Sequence, residues 1–461
     1  MKKNYGFKMF TVIALVMAML VSIVGCSSSQ NDTKKDDKEN VSNEQPKDSN
    51  KKSDVTIELF QFKLEIAKAL DEAVAEYMEE NPNVKINVQS IGEGYSVQLK
   101  AKMQSGKEPT IFNVGGPSDV NDWSYKLEDL SDQPWVQHAA VGTLGGVTID
   151  DKVYGLPYSV EGYGFVYNKA MFEAADVDVS AIKDFATLEA AVKELDGKIK
   201  SGELKEQFPD LEAVFELPAK ETWLTGQHTT NIALSPELGS ALNAFNAKKI
   251  DYKYSDQLKK IVDLQANYSS DADNKQKLCA VDNTTSVENG IAIGRVAMVQ
   301  QGNWIYPSVN NVDQEIAQQL DILPIPLEGV IEDSIPIGVP MYWTVNVDAS
   351  DEQKKAAKDF LNWLYQSEKG KEIIVNEFFF IPPFTNYEGL EAKDCLSRAV
   401  QRYTNEEKTM PWVFMGYPSG WCMDIMGTSI QKYLAGVQDW DEAIEYCKEQ
   451  WEELAKDNAE N

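Results

Sequence analysis

Two histidines and five cysteines are the whole stock of imidazole and thiol side chains in this 461-residue chain. With only His138 and His228 available, histidine-based catalysis and a histidine-ligated metal have little to work with. Gly416-Tyr417-Pro418-Ser419-Gly420 places its serine one position too late for a nucleophile elbow. Ser105-Gly106-Lys107 lacks the glycines of a phosphate-binding loop, and no HExxH zinc motif is present. Asp271-Ala272-Asp273-Asn274 starts like a calcium loop, but Lys275 and Gln276 stand where a ligand and a glycine are needed. No metal is therefore expected, although a cation near Asp271 stays open. No cofactor is implied. Carboxylates are so abundant that a pair at catalytic spacing carries almost no information.

That abundance has its own meaning. The chain carries 73 Asp plus Glu against 44 Lys plus Arg, a formal charge of -29. Phosphate binding needs a basic surface, so nucleic acid is excluded as a partner. At 43% apolar and 25% charged the composition is globular. The length suggests two or three domains at ~150 residues each.

The N-terminus reads as an export signal. Lys2, Lys3 and Lys8 precede an apolar stretch from Met9 to Val24, too short to span a bilayer comfortably. It ends in Ile23-Val24-Gly25-Cys26, which resembles a bacterial lipobox. That resemblance implies cleavage of residues 1–25, diacylation of Cys26 and anchoring to the extracellular face of the membrane. A bacterium lacking an outer membrane is the expected source. The competing reading is a plain signal anchor with an incidental cysteine. Losing three lysines takes the charge from -29 to -32. With Cys26, residues 26–54 form a polar segment whose only aliphatic side chain is Val41, which suits a solvated tether. Cys279, Cys395, Cys422 and Cys447 permit three pairings. Cys447 falls in the apolar phase of a helix and is expected to be a buried free thiol, while the other three are left open.

From Val55 the pattern alternates. Val55, Ile57 and Leu59 share one strand face, Leu64 to Glu80 has helical spacing, and Asn81-Pro82 stops it. Val84, Ile86 and Val88 form a second strand, a helix runs from about Tyr95 to Ser105, and a third strand runs from Thr110 to Val114. This β-α-β-α-β run predicts a doubly wound, mostly parallel sheet. Ligands bind such sheets at the carboxyl ends of strands, which places Gln61-Phe62-Lys63 and Gly115 to Asp119 beside a cleft. Ser350 with Gln353, and Asp439 with Glu442, predict two capped helices nearer the C-terminus. Ser180 to Glu216 reads as mixed helix and loop, and Ser269 to Asp282 as loop.

Four segments carry a family resemblance. The strongest is Tyr154-Gly155-Leu156-Pro157-Tyr158-Ser159-Val160-Glu161-Gly162-Tyr163-Gly164-Phe165-Val166-Tyr167-Asn168-Lys169, running into Ala170-Met171-Phe172. The others are the opening Val55 to Val88 unit, Gly294-Arg295-Val296-Ala297-Met298-Val299-Gln300-Gln301-Gly302-Asn303-Trp304, and Gly436-Val437-Gln438-Asp439-Trp440-Asp441-Glu442-Ala443. Together, across the mature body, they resemble the extracellular solute-binding proteins of ABC importers, carbohydrate type, in the maltose-binding-protein group. The resemblance implies an α/β, two-lobed periplasmic-binding-protein-like (type II) fold with extra C-terminal helices. Lobe one would be 55–160 plus 343–392 and lobe two 161–342 plus 393–461. The chain would cross between them near Pro157 to Gly164, Ile337 to Thr344 and Glu391.

It further implies a monomeric binding protein, not an enzyme, that delivers a sugar to ABC permease subunits in the membrane. A neutral sugar site needs aromatic faces against the C–H side of a pyranose and polar groups for its hydroxyls. The chain has 10 Trp, 19 Tyr and 17 Phe. By position in the family, Trp304 and Trp421 would be stacking platforms, with ordinary core tryptophans as the competing reading. Glu161 matches a hydroxyl-binding glutamate and Lys63 a polar contact after the first strand. Ser118 and Asp119 are the candidates in a loop that departs from maltose-binding protein, which puts maltodextrin itself in doubt. Trp223 and His228 would rim the cleft. Of Tyr342 and Trp343, one should face the ligand and the other the core. A polyamine, peptide or glycerol phosphate is the alternative solute. A surface glycan-processing enzyme and an adhesion lipoprotein are the rival classes.

Overall fold

The computed structural model describes residues 54–92 and 94–457. The signal peptide, Cys26 and all of the tether except Asp54 lie outside the described residues. Thirteen strands occur in chain order among the described residues. They are β1 (Val55–Gln61), β2 (Val84–Ser90), β3 (Ile111–Val114), β4 (Thr148–Ile149), β5 (Lys152–Val153), β6 (Leu156–Pro157) and β7 (Glu161–Asn168). Then come β8 (Ala213–Phe215), β9 (Val296–Gly302), β10 (Leu320–Leu323), β11 (Ile335–Gly338), β12 (Tyr342–Val345) and β13 (Thr409–Pro411).

The opening follows the sequence expectation closely. Helix Ala67–Glu80 buries Leu70, Ala73, Val74 and Tyr77, and ends where Asn81 caps it ahead of Pro82. Helix Asp351–Gln366 has the reciprocal Ser350–Gln353 capping box. At the last helix, Trp440–Asp457, the Glu442 N–H donates to Asp439 at 2.9 Å. Residues 180–216 hold a 17-residue helix, Phe185–Ser201, and 272–280 is a run of 3-10 turns.

Two sheets organise the body. The first has the order β2-β1-β3-β12-β6, and the second β13-β11-β7-β9-β8, with β10 also paired to β7. In each sheet one strand runs against all the others: β12 in the first and β7 in the second. Each is also the first strand after the chain leaves the other sheet. The chain runs from β6 through 158–160 straight into β7, and from β11 through 339–341 into β12. These connecting segments are tied together by Tyr158 N, which donates to Met341 O (3.0 Å), while Val160 N donates to Ile381 O (2.8 Å) on a third stretch of chain.

Both faces of each sheet are covered, as parallel sheets require. Ile57 and Leu59 enter one core of the first sheet and Phe60 the other. All eight residues of β7 are buried, with Tyr163, Phe165 and Tyr167 in one core and Val166 in another. Cys279, Cys395, Cys422 and Cys447 are free thiols, and Cys447 is buried. Among the described residues no helix is long and apolar enough to cross a membrane, and no His/Cys/Asp/Glu group is arranged to hold a metal ion.

Candidate functional site

Three strand ends converge on one region. β1 ends at Gln61 and delivers Lys63. β3 ends at Val114 and leads through Gly115-Gly116 into helix Pro117–Trp123. β9 ends at Gly302 and turns through Asn303–Ile305, which carries Trp304. These are the carboxyl ends at which such sheets offer a site.

The first group there is ionic. Lys63 Nζ lies 2.6 Å from Glu161 Oε1 and 2.6 Å from Glu65 Oε1. Lys63 is 3% exposed and Glu161 4%. The buried Gln61 side chain sets the lysine backbone, accepting from Lys63 N at 2.6 Å and donating to Lys63 O at 2.8 Å. Tyr158 O–H donates to the same Gln61 side chain at 3.0 Å. The ammonium also lies 5.4 Å from the Phe62 ring centroid and 5.6 Å from that of Phe380. Burial pulls the Lys63 pKa down, but Glu161 and Glu65 outweigh it and hold the ammonium above the ordinary lysine range. Each of the two predicted polar contacts thus already has a counter-charge in the other.

The second group is aromatic, with His228 at its centre. Its imidazole stacks on Tyr163 at 4.4 Å between centroids and lies 5.2 Å from Trp223, 5.2 Å from Trp304, 5.6 Å from Trp412 and 5.2 Å from Phe414. Two glycines make the seats. A Cβ on Gly302 would fall 2.2 Å from the Trp304 ring, and one on Gly338 2.6 Å from the Trp412 ring. Trp304 is half-buried, and its indole donates to Gln301 Oε1 at 2.8 Å. Trp223 donates to Glu221 Oε2 at 2.8 Å. His228 lies in a π-helical turn, Leu224–Thr229, a local widening that often marks functional positions.

The two groups share β7, which carries both Glu161 and Tyr163, and helix Pro117–Trp123 touches the segment that follows Phe414. Ser118 Oγ donates to Tyr417 O (2.8 Å), and Ser419 Oγ donates to Asp122 Oδ2 (2.7 Å). Gly116 packs directly beneath Met415. Asp119 accepts from Gly115 N at 2.7 Å, and burial pushes its carboxyl above the usual range.

Trp223, His228 and Trp304 are therefore brought together, and Lys63 is brought to Glu161. Ser118 and Asp119 lie on the neighbouring helix, engaged with backbone. Two expectations differ from the packing: Trp421 as a stacking platform, and a ligand-facing member of the Tyr342–Trp343 pair. Trp421 is 0% exposed: after Gly420 turns the chain with a positive φ, its indole packs at 4.9 Å from Trp451 and donates to Cys447 O (2.7 Å). It is a core tryptophan. Trp343 stacks on Tyr158 at 4.4 Å and donates to Tyr365 Oη (3.0 Å), inside the first core. Strand alternation sends Tyr342 to the opposite face, where it too is buried and donates to Thr143 O at 2.9 Å. Neither member of that pair offers a free face.

Tyr163, Trp412 and Phe414 belong to the ring cluster although their sequence positions do not single them out. Tyr163 sits inside the strongest family segment. Trp412 and Phe414 stand two apart around Val413, a spacing that could have drawn attention. Their seat comes from Gly338 and Asn231, far away in sequence. Asn231 holds the backbone on both sides of Trp412, donating to Pro411 O (3.2 Å) and accepting from Val413 N (2.8 Å).

His228 yields a pH prediction. Burial pushes its pKa down to about 3. Below the ordinary imidazole pKa of ~6.5, the unfolded chain takes up a proton that the folded chain refuses until about pH 3. The stability tied to the neutral ring is thus complete above pH ~6.5 and drains away as pH falls. Between pH 7 and pH 5 the wild type should lose about 2 kcal/mol more than His228→Phe in urea denaturation. A stability gap between the two proteins that stays constant with pH would contradict this.

The chain was compared with known proteins. A family model described as bacterial extracellular solute-binding protein matches residues 72–405. The multiple sugar-binding protein of Streptococcus mutans is 24% identical over 317 residues, covering 67% of each chain. A sugar transporter from Bacillus licheniformis solved with stachyose superposes with a TM-score of 0.65 at 20% identity, over 87% of this chain and 100% of that one. A chitin oligosaccharide binding protein superposes with a TM-score of 0.71 at 17% identity, over 87% and 99%. At these identities the structural likeness is one of fold.

Proposed function

The chain belongs to the bacterial extracellular solute-binding proteins, and from that membership we propose that it captures a neutral sugar or oligosaccharide between two lobes for an ABC permease. The observation that carries this reading is the ring cluster around His228, where Trp223, Trp304 and Trp412 gather beside strand carboxyl ends. Aromatic faces suit the C–H side of a pyranose. The Lys63–Glu161 pair favours an uncharged ligand, because a charged one would have to compete with a buried counter-charge. The sugar-binding names among the relatives support the same class.

The two sheets with their separate cores support lobes of 55–160 plus 343–392 and 161–342 plus 393–461. The tied segments at 158–160 and 339–341 would be the hinge. Ligand contacts made only when the lobes meet would stabilise the closed state, and that state would dock on the permease. Within this reading Lys63, Glu161, Ser118 and Asp119 hold the closing surfaces, while Trp223, His228 and Trp304 meet the sugar. The protein acts as a monomer, lipid-anchored at Cys26 outside the membrane, and carries out no catalysis.

The test is calorimetric titration with stachyose, chitin oligosaccharides, maltodextrins and xylo-oligosaccharides. Micromolar or tighter binding of one of them, with a change in tryptophan fluorescence, is expected. Trp304→Ala should then weaken that binding about 30-fold, a loss of ~2 kcal/mol. No heat and no thermal shift with any of the four would defeat the carbohydrate reading.

A further inference from the structure

Most indole N–H groups in this chain are provided for. Seven of the ten tryptophans donate to a side chain or backbone oxygen, including Trp223, Trp304 and Trp421. Trp123, Trp135 and Trp412 make no such bond, and among these it is Trp412 whose Nε1 is both sealed from solvent and unpaired. It is 5% exposed, and its Nε1 has no acceptor among the described residues. Buried donors left unpaired oppose folding and are rare in native proteins, so each one calls for a physical reason.

The surroundings of this donor supply one. The Trp412 ring lies 5.6 Å from His228, 6.5 Å from Trp304 and 5.8 Å from Tyr163, so it belongs to the ring cluster and not to a remote core. Its position is built rather than incidental. Gly338 gives up a side chain to seat the ring, and Asn231 clamps the backbone on either side of it. His228 and Tyr163 carry acceptor atoms, but neither accepts from the Trp412 N–H, which stays unpaired among the described residues.

We propose that the Trp412 indole N–H is a ligand donor that sets specificity: the bound sugar must present a hydroxyl or ring oxygen at that point. This rests on the carbohydrate reading above and adds to it a division of labour between two tryptophans. Trp304 has its N–H occupied by Gln301 and offers the ligand a face. Trp412 offers an edge. A face tolerates any sugar with a flat C–H side. An unpaired buried donor rejects a ligand that brings no oxygen to it, because the hydrogen bond then stays unmade in the complex.

The experiment uses the sugar that the wild type binds most tightly among stachyose, chitin oligosaccharides, maltodextrins and xylo-oligosaccharides. Trp412→Phe keeps an aromatic ring and removes the donor, and its affinity should fall roughly tenfold. Trp363→Phe, remote from the cluster and paired with Glu80, should leave affinity unchanged. A second measurement needs no variant. In the 15N-labelled wild type, the Trp412 indole proton is identified by its nuclear Overhauser contact with the Gly338 α-protons. It should move downfield on saturation and become protected from solvent exchange. An unmoved Trp412 signal at saturation, or a Trp412→Phe protein that folds and binds as tightly as wild type, overturns the inference while leaving the carbohydrate reading intact. If the wild type binds none of the four sugars, the carbohydrate reading falls and the inference falls with it.

Discussion

Replacing Lys63 by methionine is expected to destabilise the protein by about 3–5 kcal/mol, because it strands the buried Glu161 carboxylate without its counter-charge. The size follows from the burial of both partners: a surface ion pair of the same length would be worth ~1 kcal/mol at most. Here the two groups sit 2.6 Å apart, and Glu65 adds a second carboxylate that would repel the first once the ammonium is gone. Shape changes little, since the methionine stem fills most of the space between Phe62 and Phe380. Changing Lys63 and Glu161 together to methionine should recover most of the loss, because an apolar pair avoids the desolvation that the ion pair must offset. Urea denaturation of the two single variants and the double variant measures the coupling. A single-variant loss below about 1 kcal/mol would mean that water reaches the pair in the folded protein.

The second large effect is a separation of stability from affinity. Trp421→Ala should cost about 3–5 kcal/mol of stability, the ordinary range for emptying a fully buried tryptophan site. It also leaves Cys447 O without the indole donor. Measured on the folded fraction, sugar affinity should be unchanged. Trp304→Ala should do the reverse, sparing much of the stability of a half-buried residue while weakening binding about 30-fold. If Trp421→Ala instead weakened binding with little loss of stability, its placement in the core would be wrong. The two tryptophans are equivalent by family position, and only the packing distinguishes them.

That contrast marks what could be read from the chain before its structure. Local patterns travelled well: the alternation in Val55 to Val88, the Asn81-Pro82 stop and the Ser350–Gln353 cap each depend on neighbours a few residues away. The strand-end rule likewise placed Lys63 and Gly115 to Asp119 beside the same region. Partners were not legible. Nothing near Lys63 says that Glu161 will neutralise it, and nothing near Trp412 says that Gly338 will open a seat for its ring. The directions of Trp421 and of the Tyr342–Trp343 pair were not legible for a related reason. Family position says where a residue falls along the chain, whereas the turn at Gly420 and the pleat of β12 decide which way the ring points.

The place of β12 bears on how the molecule can be made. It lies between β3 and β6, which are completed at residues 114 and 157, long before β12 begins at residue 342. While the chain is being synthesised, the first sheet therefore waits with an internal gap until residues 342–345 arrive. Neither sheet can finish alone, because the whole of the second sheet except β13 is spelled out inside that delay. Such non-local closure is slow and leaves strand edges unpaired in the meantime. The topology thus keeps the first sheet incomplete until three quarters of the chain has been made, the state in which an unfolded chain passes through a narrow translocation pore.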